Sequence, residues 1–125
     1  MNTTANNIDQ IQQTIQYYFD GLYHSDAKKI KKAFHPSSQV SGFFDGNLSI
    51  MSLEQFIDFV KATPAPVENG EAYDMKIVSI DITGNEAVVK VEDLYLGLRF
   101  TDYLSLLKID SNWFIVNKVY YYEPK

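Results

Sequence analysis

Asp102 is the residue whose type and position in this sequence most directly suggest chemistry. It lies in the middle of the mostly apolar stretch Phe100–Leu104, which alternates as a β-strand does. A carboxylate on an apolar face needs either a partner or a retained proton, because burial disfavours its charged form. Such a carboxyl is suited to general acid or base catalysis. The sequence leaves open a plain cross-strand pair of Asp102 with Lys118 or Arg99.

His35 is the second candidate for acid–base chemistry. It follows Phe34 at the predicted end of a helix, and Pro36 restricts the backbone that orients its ring. Its alternative role is to cap that helix by bonding to the last carbonyl groups. His24, in a polar turn, is expected at the surface. Neither histidine has a second ligand at metal-binding spacing, so we expect no metal site.

Several other kinds of chemistry have no support in the sequence. There is no cysteine, which excludes disulfides, thiolate metal sites and cysteine nucleophiles. There is also no P-loop, no Gly-x-Ser-x-Gly turn and no dinucleotide fingerprint, so nucleotide chemistry and serine hydrolysis are not expected. We therefore predict no cofactor.

Composition predicts one globular domain over residues 1–125, with 46% hydrophobic, 22% charged and 14% aromatic residues. The net charge of −5 and the lack of a basic surface beyond Lys28–Lys32 argue against nucleic acid and anionic membranes as partners. No signal peptide and no apolar run of about 20 residues is visible. Together with the absence of cysteine, this predicts a cytoplasmic protein.

Three amphipathic helix patterns come first, and they must position the candidate residues. The first runs from Ile8 to about Tyr23, after a leader over residues 1–7 that we expect to be disordered. Asp26 caps the second, which continues to Phe34. The third has a clear beginning, because Ser52 and Gln55 have the spacing of a capping box.

Strand patterns fill the rest of the chain. A short hairpin turns at Asp45-Gly46-Asn47, and a four-strand meander follows the third helix. The predicted strands are Val40–Phe44, Leu48–Met51, Tyr73–Thr83, Glu86–Leu96, Phe100–Ile109 and Trp113–Tyr122. Helices followed by strands predict an α+β fold whose helices pack on one face of an antiparallel sheet.

The last two predicted strands are apolar on both faces, unlike strands with one wet face. One face packs on the helices, and the other needs a partner. A two-fold homodimer is the commonest solution. The alternative is that these aromatic side chains lie exposed or under the C-terminal residues.

The layout and several segments resemble the nuclear transport factor 2-like superfamily, and within it most closely the putative lumazine-binding family. The segments that carry the resemblance span nearly the whole chain: Ile15–Tyr23, Ala33–Pro36, Met51–Phe56, Phe100–Asp110 and Trp113–Lys118. The resemblance implies a cystatin-like fold, in which a strongly curved antiparallel sheet forms a cone around the first helix and encloses a central pocket. It also implies homodimers formed through the outer sheet face.

The same resemblance suggests where ligands bind and which residues act. Ketosteroid isomerases of this superfamily use a tyrosine donor and an aspartate, for which Tyr18 or Tyr17 and Asp102 are candidates, although their motif does not match residue by residue. Dehydratase-like members use a His–Asp pair, which His35 and Asp102 would form only if both point inward. The ligand-binding residues that we expect are Tyr18, Phe34, His35, Phe56, Tyr95, Asp102 and Asn117, with Asp93 as a further polar group.

Three functions remain open at this point. The first is a homodimeric protein that binds a small, flat, mostly apolar or aromatic ligand in an aromatic pocket. The second is a proton-transfer enzyme, an isomerase or dehydratase, with Asp102 or His35 as its base. The third is an interaction module that uses its sheet face on another protein. Fold alone does not choose between them.

Overall fold

The protein was analysed as a computed structural model that describes residues 3–123. Three helices and six strands follow one another along the chain. They are α1 (Thr3–Tyr23), α2 (Ala27–Ala33), β1 (Phe34–Phe44), β2 (Asn47–Ser52), α3 (Leu53–Ala62), β3 (Met75–Thr83), β4 (Glu86–Tyr95), β5 (Leu98–Ile109) and β6 (Asn112–Tyr122). No helix among these residues is long and apolar enough to cross a membrane.

The strands form one curved, unclosed sheet in the order β2-β1-β6-β5-β4-β3. The fold is therefore the α+β, cystatin-like architecture that the sequence predicted. The sheet is not wholly antiparallel, because β1 runs parallel to β6, with Val40 opposite Lys118. This pairing joins the early hairpin to the end of the chain, and α3 is the connection that returns from the hairpin toward the meander.

The helices follow their sequence signals closely at most ends. Asp26 caps α2 by accepting from the backbone N–H groups of Lys28 and Lys29, and α2 ends at Ala33, one residue before the predicted end. Ser52 and Gln55 form the predicted capping box of α3. Both motifs satisfy backbone donors that a helix leaves free at its N-terminus.

The beginning of α1 corrects one prediction. The expected disordered leader is wrong for residues 3–7, which form the first part of α1, while residues 1–2 lie outside the described range. Asn7 explains the earlier beginning, because its Oδ1 accepts from Lys108 Nζ at 3.0 Å and from Trp113 Nε1 at 3.3 Å. These bonds tie the start of the helix to the far end of the sheet.

One core lies between the helices and the inner face of the sheet. The apolar face of α1, formed by Ile11, Ile15, Tyr18, Phe19 and Leu22, is buried in it, as are the inward residues of β4 and β5. On β5 these are Phe100, Asp102, Leu104 and Leu106. Asp102 therefore points into the core, a direction that the sequence left open.

A β-bulge in β6 changes the parity of the last strand. Leu106 lies opposite Ile115 and Ser105 lies opposite Asn117, so Val116 has no partner on β5. An extra residue of this kind reverses which side chains face the core beyond it. Before the bulge Trp113 and Ile115 are buried, and after it Lys118 and Tyr120 are buried.

Candidate functional site

A cavity of about 230 Å³ lies between α3, the β1–β2 hairpin and the inner face of β4–β6. Its wall is mostly apolar and aromatic, formed by Val40, Phe44, Met51, Phe56, Phe59, Leu96 and Phe100. The polar groups in the wall come from Ser49, Asp93, Tyr95, Lys118 and Tyr120. This volume is below the range of about 300–1,000 Å³ found for drug-sized ligands, so the cavity suits a compound of one or two rings.

The pleat of the sheet positions the two ionisable side chains of the wall, Asp93 and Lys118. Asp93 lies at the same two-residue spacing along β4 as the buried Val89, Val91 and Tyr95, so its carboxyl points inward with them. Lys118 lies on β6 between Val40 of β1 and Leu104 of β5 and points inward because of the bulge that precedes it. Neither side chain is more than 6% exposed.

Asp93 and Asp102 form a buried pair of carboxyl groups. Burial, followed by the negative charge of Asp102 and a hydrogen bond to its carboxyl, raises the pKa of Asp93 well above its usual value. The positive charge of Lys118 acts in the opposite direction and is the smaller effect. Asp93 therefore keeps its proton, because like charges so close in an apolar site cannot both ionise.

A proton on Asp93 also explains how two buried carboxyl oxygens can find a hydrogen-bond partner. As carboxylates, Asp93 Oδ2 and Asp102 Oδ1 would have no hydrogen-bond donor among the described residues. Buried polar atoms are seldom left without partners, since each costs about 1–3 kcal/mol. A proton on Asp93 turns that side chain into a donor and removes the deficit.

Tyr18 completes the network behind the wall. Its hydroxyl donates to Asp102 Oδ2 over 2.6 Å, and both residues are fully buried. Burial, followed by the charge of Asp102, raises the pKa of the Tyr18 hydroxyl well above its usual value, so the hydroxyl keeps its proton and remains a donor. The chain of groups thus runs from Tyr18 through Asp102 to Asp93 at the cavity.

Tyr95 contributes a second protic group to the wall. Burial and the nearby Asp93 raise the pKa of its hydroxyl, which remains protonated. This hydroxyl lies close to Thr63, but it makes no hydrogen bond of good geometry within residues 3–123. The cavity therefore offers hydrogen-bond donors at one end and aromatic surface elsewhere.

The residues that the sequence predicted to bind a ligand fall into three groups: residues in the cavity wall, residues one layer behind it, and residues away from the cavity. Phe56 and Tyr95 lie in the cavity wall. Tyr18 and Asp102 lie one layer behind it, joined to the wall through Asp93. Phe34 also lies behind it, with its ring centroid 5.6 Å from that of Tyr18 and 6.0 Å from that of Phe56.

Two of the predicted residues are not brought to the cavity. His35 is on the outward side of β1, where its Nδ1 lies 2.8 Å from Ser37 Oγ and accepts from the Ser37 backbone N–H. The His–Asp pair with Asp102 is therefore not formed, and the predicted inward role of His35 is corrected. Asn117 is outside the wall as well, because the bulge turns it to the opposite face from Lys118.

The expected cross-strand partners of Asp102 are also corrected. Arg99 pairs with Asp74 instead, and Lys118 forms no ion pair within residues 3–123. Sequence reasoning missed Lys118 as a residue of the site, because strict alternation over β6 placed it on the other face.

The described residues contain no cluster of three histidine, aspartate or glutamate side chains that would hold a metal ion. What the site can do follows from its protic groups. A neutral carboxylic acid in an apolar cavity can donate a strong hydrogen bond to an oxygen on which negative charge develops. Because Asp93 also contacts Asp102, it can exchange its proton within the pair.

Comparison with known proteins gives a family and several relatives. Residues 6–121 match the model of the family described as "Putative lumazine-binding". A curated protein from a Cladobotryum species, named Aldolase FrzH, is 28% identical over 124 residues, covering 98% of this chain and 96% of that protein.

Solved structures of similar proteins share the whole fold. A protein from Silicibacter pomeroyi described as NTF-2 like and of unknown function aligns with a TM-score of 0.89 at 26% identity, covering 96% of this chain and 98% of its own. An NTF2-like protein of unknown function from Shewanella baltica aligns with a TM-score of 0.87 at 25% identity, covering 97% of both chains.

Proposed function

Because the chain belongs to the putative lumazine-binding family of the nuclear transport factor 2-like superfamily, we propose that it binds a small ring compound in the aromatic cavity. The ligand carries an oxygen that accepts a hydrogen bond from Asp93. The single observation that carries this proposal is the buried Asp93 carboxyl in an otherwise mostly apolar wall, where burial and Asp102 raise its pKa and favour its protonated form.

The shape and lining of the cavity support a flat ligand. Phe56 and Phe100 are both buried wall residues, and the ring of Phe100 also packs at 5.9 Å from Tyr120. Aromatic walls bind rings through offset or edge-on contacts that add to the burial of apolar area. The few polar groups then fix the orientation of the ligand, as in most small-molecule sites.

The first test compares two probes that differ in one polar group. We expect 2-acetonaphthone to bind more tightly than 2-isopropylnaphthalene, which has a similar shape and no carbonyl oxygen. The expected difference is about tenfold or more in Kd, the value of one hydrogen bond from a buried acid. Isothermal titration calorimetry measures both constants.

Substitution of Asp93 tests whether the difference in Kd between the two probes comes from the Asp93 carboxyl. Asp93→Leu should bring the two constants together, whereas Asp93→Asn, which still offers N–H donors, should retain part of the difference. A matched control is Asp81→Leu on β3, far along the sheet from the wall. Equal binding of both probes by the unsubstituted protein would contradict the proposal.

A second candidate function is a proton-transfer enzyme that forms an enol from a bound carbonyl compound. The specific observation in its favour is the Asp93–Asp102 pair, which holds one proton that can move to the ligand oxygen. The relative named as an aldolase also favours it, because an aldol reaction proceeds through an enol or enolate. Asp93 donates its proton to the ligand oxygen, and the Asp93 carboxylate so formed takes the proton from the neighbouring carbon, so that the enol forms and the acid is restored. The base role that the sequence offered for Asp102 therefore passes to Asp93.

Deuterium exchange tests this second function. If the cavity promotes enol formation, the methyl protons of 2-acetonaphthone should exchange with D₂O faster in the presence of the protein, as followed by proton NMR. Asp93→Asn should abolish the acceleration and keep the binding. Binding without any acceleration would leave a ligand carrier and eliminate the enzyme.

We also propose that the protein is a homodimer formed through the outer face of β4–β6. Exposed apolar side chains on that face, from Val88, Tyr103, Leu107, Val119 and Tyr121, support this proposal. Large contiguous apolar patches on a soluble chain commonly mark interfaces, and a self-complementary sheet face suits a two-fold axis.

A further inference from the structure

Lys118 is a buried cation that has no anionic partner in the part of the chain described. It is 6% exposed, and no aspartate or glutamate among residues 3–123 forms an ion pair with it. Buried charges in proteins are normally paired, because leaving water is costly for an ion. Its situation in the cavity wall therefore needs an explanation.

Aromatic rings partly stabilise the Lys118 ammonium. Its Nζ lies 4.7 Å from the ring centroid of Phe56, 5.0 Å from that of Tyr18 and 5.7 Å from that of Tyr120. These distances are typical of cation–π contacts. A ring face does not replace an oxygen acceptor, however, and an ammonium has three N–H donors to satisfy.

The acidic neighbour in the wall does not neutralise this charge. Burial and the neighbouring Asp102 favour the protonated form of Asp93 by raising its pKa, and Asp102 itself lies behind the wall, bonded to Tyr18. The cavity surface therefore presents one cation and one neutral acid side by side in the same wall. Both groups are complementary to a negatively charged oxygen.

We propose that the ligand of this cavity is a small aromatic or apolar acid, whose anionic oxygens pair with Lys118 and accept a hydrogen bond from Asp93. This inference rests on the proposed function and gives the chemical class of its ligand. Inside an apolar cavity such an ion pair is stronger than in water, since the local dielectric is low. A neutral ligand would leave the ammonium buried and unpaired.

The test uses a second matched pair of probes on the same ring system. We expect 2-naphthoate to bind the unsubstituted protein at least about tenfold more tightly than 2-naphthamide, measured by isothermal titration calorimetry at neutral pH. Lys118→Met, which keeps the length of the side chain, should remove that preference. Lys118→Arg should retain it in part, because the charge remains.

Lys90 provides a matched control. Its Nζ also lies over a tyrosine ring, 5.7 Å from the centroid of Tyr103, but on the outer face of the sheet. Lys90→Met should leave the preference for 2-naphthoate unchanged. If Lys90→Met lowers the preference for 2-naphthoate as much as Lys118→Met does, the inference is overturned, because the preference would then come from the net charge of the protein.

The remaining outcomes separate this inference from the proposed function. Equal binding of 2-naphthoate and 2-naphthamide overturns the acid class while the cavity remains a ligand site. Failure of all the naphthalene probes overturns both.

Discussion

At the scale of residues, the central feature is a pair of buried carboxyl groups next to a cavity. Asp93 lies in the cavity wall, burial and the charge of Asp102 raise its pKa, and the Tyr18 hydroxyl donates to Asp102 over 2.6 Å. A carboxylic acid kept neutral by its surroundings can donate a hydrogen bond that an ionised one cannot. The chemistry of the site follows from this arrangement.

The raised pKa of Asp93 makes the stability of the protein depend on pH. The folded state binds this proton more tightly than the unfolded state, so the associated stability is present below the unfolded pKa of 3.8 and is lost as pH rises through the folded value. Between these two pH values the unsubstituted protein should lose stability that Asp93→Asn does not lose. The difference between their free energies of unfolding should therefore shift in favour of the variant, by at most about 1.4 kcal/mol per pH unit.

Urea denaturation at a series of pH values measures this difference. Carboxyl groups remote from Asp93 titrate in the same range and cancel in the comparison. The side chains that face Asp93, namely Asp102, Tyr18, Tyr95, Lys118 and Arg99, are all kept in the variant, and the loss of the Asp93 carboxyl from their surroundings is part of the measured difference. Two stability curves that stay parallel between pH 4 and neutral pH would show that Asp93 is ionised in the folded protein.

Removal of the Tyr18 hydroxyl should destabilise the fold. Tyr18→Phe leaves Asp102 Oδ2 buried without its donor, which we expect to cost about 1–3 kcal/mol in urea denaturation. Tyr17→Phe is a matched control on the same helix, because the Tyr17 ring lies under Lys29 and Lys32 at the surface. A loss of the same size in both variants would show that the bond to Asp102 contributes nothing specific.

At the scale of elements, the bulge at Val116 decides which residues of β6 reach the cavity. The helices, their caps and the four long strands could be predicted because each has a local periodic or capping signal. The bulge has no such signal, and it places Lys118 inside and Asn117 outside. This one extra residue explains why the sequence did not predict Lys118 in the cavity wall and why it placed Asn117 there.

The parallel contact of β1 with β6 was also beyond prediction from the sequence. It joins residues far apart in the chain, such as Val40 and Lys118, which are 78 positions apart, and no local pattern specifies that pairing. The β4–β5 turn was predicted one residue too late. It consists of Leu96 and Gly97, both with positive φ, 57° and 75°, and a leucine is an unusual residue for such a turn.

Gly42 provides a test of how β1 and β6 shape the cavity. A Cβ added there would lie 2.7 Å from Tyr120 Cε1 and from the Tyr120 backbone oxygen. Gly42→Ala should therefore push the two strands apart or move the Tyr120 ring, with a cost of about 1–3 kcal/mol. Because Tyr120 is part of the wall, the affinity for 2-acetonaphthone should fall as well.

Ser41→Ala is the control for this substitution, since it alters the neighbouring position of β1 without adding an atom in the strand contact. Calorimetric titration and urea denaturation of the two variants give both quantities. Gly42→Ala with unchanged stability and unchanged affinity would contradict the close approach of the strands on which the shape of this cavity depends.

At the scale of the whole molecule, the apolar outer face of the sheet is the feature that needs a partner. Tyr103, Val119 and Tyr121 are 53%, 45% and 64% exposed on one continuous region of β5 and β6. The two-faced character of these strands could be read from the sequence, because alternation of apolar and polar residues is absent there. Which molecule covers the face could not be read, since self-association depends on the shape of the whole surface.

The dimer proposal predicts a molar mass in solution of twice the 14.3 kDa chain, measured by size-exclusion chromatography with light scattering. Val119→Glu places a charge in the centre of the face and should give the monomer. Val67→Glu, at an exposed apolar residue in the loop after α3, should leave the mass unchanged. A monomeric unsubstituted protein would favour the third function, an interaction module whose sheet face binds another protein.

The central claim is that a ring compound binds in the cavity with an oxygen at Asp93. The measurement that tests it most directly is a crystal structure of the protein with 2-acetonaphthone. We predict the ketone oxygen at about 3 Å from the Asp93 carboxyl, with the rings between Phe56 and Phe100. A probe found on the outer sheet face, or one in the cavity with its oxygen directed away from Asp93, would contradict the claim.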